Sequence, residues 1–88
     1  MSVTIELQNI GDASTRSEIA AVVEHVLSDR SGLWRVTILG SRANDSWEMK
    51  VEGRKGYERS YTLLGSAGQH QPHVVGNVLA KLLSAKTA

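Results

Sequence analysis

Two histidines three residues apart, His70 and His73, flank the chain's only proline, Pro72, and follow two glycines, Gly65 and Gly68, in the stretch GSAGQHQPH. Three chemistries suit such a stretch. Imidazoles on adjacent helical turns can converge on one metal ion, because side chains three or four residues apart share a helix face. A glycine turn running into a helix N-terminus can cradle an anion, since the first amides of a helix are unbonded and its dipole is positive there. The third use is structural: proline belongs in a helix's first turn, where its missing N–H costs nothing.

The spacing favours the last. Pro72 separates the histidines and sets His70 ahead of the helix, while a zinc site needs three or four protein ligands. The remaining histidine, His25, falls in a different helix. Neither the lysine of a phosphate-binding loop nor the glycine spacing of a dinucleotide site is present. No serine, histidine and acidic residue stand in a spacing that ties nucleophile, base and orienting group together. The expectation is therefore no catalytic residue, no metal and no cofactor.

Charge supplies a weaker signal. The net charge is +1, but residues 1–34 carry five acidic side chains against Arg16 and Arg30. After Glu58 no acidic side chain remains, whereas Arg59, Lys81 and Lys86 follow. Such a gradient can mark an anion-binding face. The candidate contacts for an anion or nucleic acid are Arg42, Arg54, Lys55, Arg59, Gly68, His70 and His73.

The elements that must hold these residues follow from hydropathy period. SVTIELQ alternates Val3, Ile5 and Leu7 with polar neighbours, as a half-buried strand does. Thr15 and Glu18 match a capping box, and Ile19, Val22, Val23, Val26 and Leu27 then recur at helical spacing toward Ser31-Gly32. Trp34, Val36 and Ile38 alternate in a second strand, Trp47, Met49 and Val51 in a third, and Tyr61 and Leu63 in a fourth. A two-residue loop at 54–55 would set Met49 and Val51 beside Ser60 and Glu58. A three-residue loop at 54–56 sets Met49 opposite Tyr61 and Trp47 opposite Leu63, and needs a positive φ at its last position, which Gly56 can adopt. Arg54 and Lys55 then lie at the hairpin tip. Arg35, Glu48, Lys50, Glu52, Glu58 and Ser60 fall on the outer face, with Arg35 opposite Glu48 or Glu52. The last helix starts near Pro72, with Val74 or Val75, Val78, Leu79, Leu82 and Leu83 on its apolar stripe.

The predicted order is β-α-β-β-β-α in one domain over residues 1–88. It forms a two-layer α+β sandwich, a four-stranded mixed sheet with both helices on one face and the first two strands parallel. From about Ser17 to Ala85 the α-β-β-β-α order and length resemble the double-stranded RNA-binding domain. That resemblance implies an RNA face made of the Arg16–Glu24 side of the first helix, the GSRANDS loop with Arg42, and the start of the last helix. The chain departs from that family's pattern in three places. Gln69, His70, Gln71 and His73 replace its lysine cluster, the first helix carries Glu18 and Glu24, and an extra strand precedes it.

With no cysteine, thiolate chemistry and disulfides are excluded. The first ten residues lack the basic, then apolar pattern of a signal peptide. No apolar run approaches the ~18 residues of a membrane span. The functional expectation is a cytoplasmic, non-enzymatic module acting through a protein partner or as a homo-oligomer. The alternative is weak, salt-dependent binding to duplex RNA or DNA.

Overall fold

Alternation of branched aliphatic and polar residues produces four strands, and the computed structural model of the protein arranges them in one sheet. The structure describes residues 2–28, 30, 32–41, 43–53 and 56–84. Strand β1 (Ser2–Gln8) is followed by helix α1 (Ala13–Leu27), strands β2 (Leu33–Gly40), β3 (Ser46–Glu52) and β4 (Glu58–Leu64), and helix α2 (Pro72–Ser84). The sheet order is β1-β2-β3-β4, with β1 parallel to β2 and the other pairs antiparallel. The expected two-layer α+β architecture is thus the observed one.

The inward parity of the strands is also the expected one. Val36, Ile38, Trp47, Met49, Val51 and Leu63 are buried against Ile19, Val23, Leu27, Val75, Leu79 and Leu83 of the helices. In the β3–β4 hairpin Trp47 pairs with Leu63 and Met49 with Tyr61. Gly53 donates its N–H to the Tyr57 carbonyl at 2.9 Å, and Gly56 has a φ of +76°. Arg35 pairs with Glu52, the second of its two anticipated partners. Tyr61 has the inward register but remains 38% exposed, because β4 is an edge strand and its ring lines an open groove beside α2.

Helix α1 begins and ends differently from the expectation. Its N-cap is Asp12, whose side chain accepts a 2.8 Å hydrogen bond from the Thr15 amide. A carboxylate caps as well as a hydroxyl, so Thr15 occupies the third helical position and Glu18 has no capping role. The helix stops at Leu27, with Ser28 as C-cap, four residues before Gly32. Gly32 is left-handed (φ +100°) and leads instead into β2. Ile10, between β1 and α1, is 1% exposed and belongs to the core. A lone apolar residue in a polar loop carries no periodic signal.

The Thr15 amide holds the Asp12 carboxyl below its ordinary range. A depressed carboxyl contributes stability above its unfolded value, about 3.9, and loses it as pH falls through the folded one. Asp12→Ala should therefore melt at a lower temperature than the parent at pH 7, and the gap should narrow below about pH 4. Thermal melts followed by circular dichroism test this, and a gap that does not depend on pH contradicts the capping assignment.

The helices approach one another closely at one point. Gly76 is buried, and a Cβ built on it would lie 2.3 Å from Cγ1 of Val22. Val22 and Val26, half-buried, are the α1 residues that meet this spot. No helix among the described residues is long and apolar enough to cross a membrane.

Candidate functional site: the β4 edge and the turn before α2

The chain leaves β4 through a 3-10 turn, Gly65–Ala67, and Gly68 reverses it with a φ of +74°. Two of the turn's amides are used internally. Gly68 donates to the Gly65 carbonyl (2.9 Å) and Gln69 to the Leu64 carbonyl (3.0 Å). Pro72 opens α2, and the Gln71 carbonyl accepts from both Val74 and Val75.

His70 precedes the helix, as Pro72 requires, and is partly buried there. Its ring stacks on Trp47 with centroids 3.7 Å apart and planes 5° from parallel. Its Nε2 lies 2.9 Å from the Leu63 carbonyl. A carbonyl only accepts, so Nε2 carries the proton, and Nδ1 stands 3.9 Å from the Asp45 carboxylate. His70 is thereby a clamp joining β3, β4 and the turn. His73, on the first turn of α2, is exposed. Among the described residues no three histidine, aspartate or glutamate side chains gather as metal ligands would.

Of the basic candidates, Arg42, Arg54 and Lys55 lie outside the described residues. Arg59 sits over the Tyr57 ring, 5.1 Å from its centroid, and donates from Nη1 to the Glu58 carbonyl at 3.0 Å. The structure thus holds Arg59 at the start of β4 and groups Gly68 with His70 at its far end. The seven candidates do not form one described cluster.

What the structure does bring together is a strand edge and a groove. Gly53 N–H bonds to Tyr57 C=O, and Gly65 N–H to Asp45 C=O. Alternation in an antiparallel ladder then gives the odd-numbered residues of β4 to β3 and turns the even-numbered N–H and C=O groups outward. Two ends of that outer edge are covered. At one end Gln69 accepts from the Leu64 amide through Oε1 (2.9 Å) while its own amide bonds the Leu64 carbonyl. At the other, Arg59 occupies the Glu58 carbonyl. Between them Ser60 and Thr62 are exposed, and no described strand lies beyond β4.

Beside this open window runs a groove of about 510 Å³ between β4 and α2. Tyr61 and Gln69 line one side, and Val74, Val78, Lys81 and Leu82 the other. Gln69 Nε2 donates to the Tyr61 hydroxyl (3.2 Å), fixing the ring, and the Tyr57 hydroxyl donates to the Leu82 carbonyl (3.1 Å), fixing the far end of α2 to the start of β4. Reading the sequence by period alone misses the window, because Gln69 and Arg59 act through hydrogen bonds to main chain that leave no periodic trace.

The outer sheet face is an ion-paired surface. Lys50 meets Glu58 at 2.8 Å and Arg35 meets Glu6 at 3.8 Å. The hydrogen bond to Glu58 keeps the Lys50 ammonium charged to higher pH than usual. No protein-family model matches this chain, and no curated protein matches it at a significant level.

Proposed function

We propose that this protein is a non-enzymatic interaction module that docks a partner strand on the free edge of β4. The observation that supports this reading most is the window at Ser60 and Thr62, uncovered between two capped ends and adjoining an apolar groove. Unpaired strand edges are templates for another strand, and the main-chain bonds supply affinity while the flanking pocket supplies selectivity. The partner is an extended segment of another protein, and a species in which two copies pair their β4 edges is the other outcome that the test below distinguishes.

Thr62→Pro is the direct test. Its amide points outward, so proline removes no bond to β3 and is tolerated at an edge, yet it removes one of the window's two outward donors and sets its ring where an added strand would pair. Light scattering after size exclusion, and crosslinking in extract, should show an associated species with the parent and its loss with Thr62→Pro. A parent that stays monomeric and crosslinks nothing overturns the reading.

The alternative, nucleic-acid binding, rests on the absence of any acidic side chain after Glu58. It calls for binding to duplex RNA or DNA at low salt that weakens steeply as salt rises. Unchanged duplex mobility at low salt and pH 6 removes it.

A further inference from the structure

Resting on the strand-docking reading above, we infer that the β4–α2 groove selects an extended peptide with an apolar residue opposite Tyr61 and an acidic group two residues further toward its C-terminus. The register of the window sets this pattern. A peptide residue opposite Ser60 and another opposite Thr62 each exchange two main-chain hydrogen bonds with β4, as outward-facing positions of an antiparallel ladder do. The residue between them lies opposite Tyr61, and strand parity points it to the same face as Tyr61, into the groove. Residues two positions to either side also point inward, opposite Leu63 and Arg59.

The wall they meet has the matching length. Val74, Val78 and Leu82 repeat every four residues along α2, about 12 Å from first to last at the helical rise. Five residues of extended peptide, two on each side of the central one, span about 13 Å. Val74 lies at the Gln69 end of the groove and Leu82 at the Tyr57 end, where Tyr57 bonds the Leu82 carbonyl.

Charge then sets the direction and the acid. Lys81, beside Leu82, lines the Tyr57 end of the groove, and Arg59, over the Tyr57 ring, adds a second cation next to that end though outside the lining. The groove lining itself holds no acidic side chain. An antiparallel peptide continues the β2-β3-β4 meander and enters at the Thr62 end, so its C-terminal part reaches Arg59 and Lys81. A side-chain carboxylate on the residue opposite Arg59 satisfies that end, and recognition of the peptide's terminal carboxylate instead is the outcome that amidated peptides detect.

The test is a selection of random hexapeptides on the full chain, with free and with amidated C-termini, followed by titration of the enriched peptides. The expected consensus alternates apolar residues and closes on a carboxylate. Thr62→Pro should abolish its binding, and Lys81→Glu, at an exposed position on the groove wall outside the buried core, should weaken it roughly three- to tenfold. Enrichment of alternating apolar peptides without an acid, sensitive to Thr62→Pro but not to Lys81→Glu, overturns the acidic selectivity and keeps the docking edge. Peptides indifferent to both substitutions, enrichment of nothing, or competition by duplex RNA for the same surface overturns both.

Discussion

The Gly76→Val variant is expected to lose about 3 kcal/mol of stability, at the upper end of what overpacking a filled core costs. Gly76 is a point of close approach between the two helices. Its missing side chain makes room for Val22, whose Cγ1 would stand 2.3 Å from a Cβ at position 76. Valine adds two further methyl groups to that spot, so α2 must move off α1. By intrinsic propensity alone a glycine in a helix interior is unfavourable, by roughly 1 kcal/mol against alanine. Destabilisation on replacing it therefore reports packing, not propensity. Combining the change with Val22→Ala empties the contested space, and the double variant should recover most of the loss, a coupling that additive effects exclude. Urea denaturation of the four proteins measures it. A Gly76→Val protein as stable as its parent contradicts the close helix contact.

Leu79→Ala should cost about 2–5 kcal/mol. Leu79 is fully buried in the core shared by the sheet and both helices, so truncation removes its transfer free energy and leaves a cavity. In a domain of this size total stability lies toward the low end of 5–15 kcal/mol, and a drop in melting temperature of roughly 10 °C or more follows. The same change loosens α2 against the sheet and so should weaken strand docking as well. Val78→Ala, at a half-buried position on the groove, should do the reverse: a small loss of stability with a clear loss of binding. If Leu79→Ala left stability unchanged, α2 would not be the core helix described above.

Much of the fold is legible from residue order because its signals are local. Val3, Ile5 and Leu7 alternate, the α1 and α2 stripes repeat at helical spacing, and the parity of Met49 against Tyr61 selects a loop that only a residue such as Gly56 completes. Each of these depends on neighbours within a few positions. The features missed depend on contacts through space. Asp12 caps α1 in place of Thr15 because the chain turns at Gly11, and either residue type would serve. His70 reads only as a residue ahead of a helix, yet the hairpin brings Trp47 beneath its ring and the Leu63 carbonyl to its Nε2.

The site was less legible than the fold for the same reason. A cationic residue such as Arg59 suggests a charge for a ligand. In the structure it lies over Tyr57 and closes one end of an edge. Gln69 is unremarkable in sequence, but both its amide groups and its main-chain N–H are committed to β4. Together these two residues define the open window by covering what surrounds it. Edge strands are commonly shielded along their length, so shielding that stops short at Ser60 and Thr62 is the structural basis of the docking proposal.

The most direct measurement is the response of backbone amides in the isotope-labelled protein to a hexapeptide enriched on the full chain. Strand addition predicts that the Ser60 and Thr62 amides shift and become protected from solvent exchange, accompanied by shifts at Val74 and Val78 across the groove. Shifts confined to the outer sheet face around Arg35 and Lys50, with Ser60 and Thr62 still exchanging freely, would contradict it.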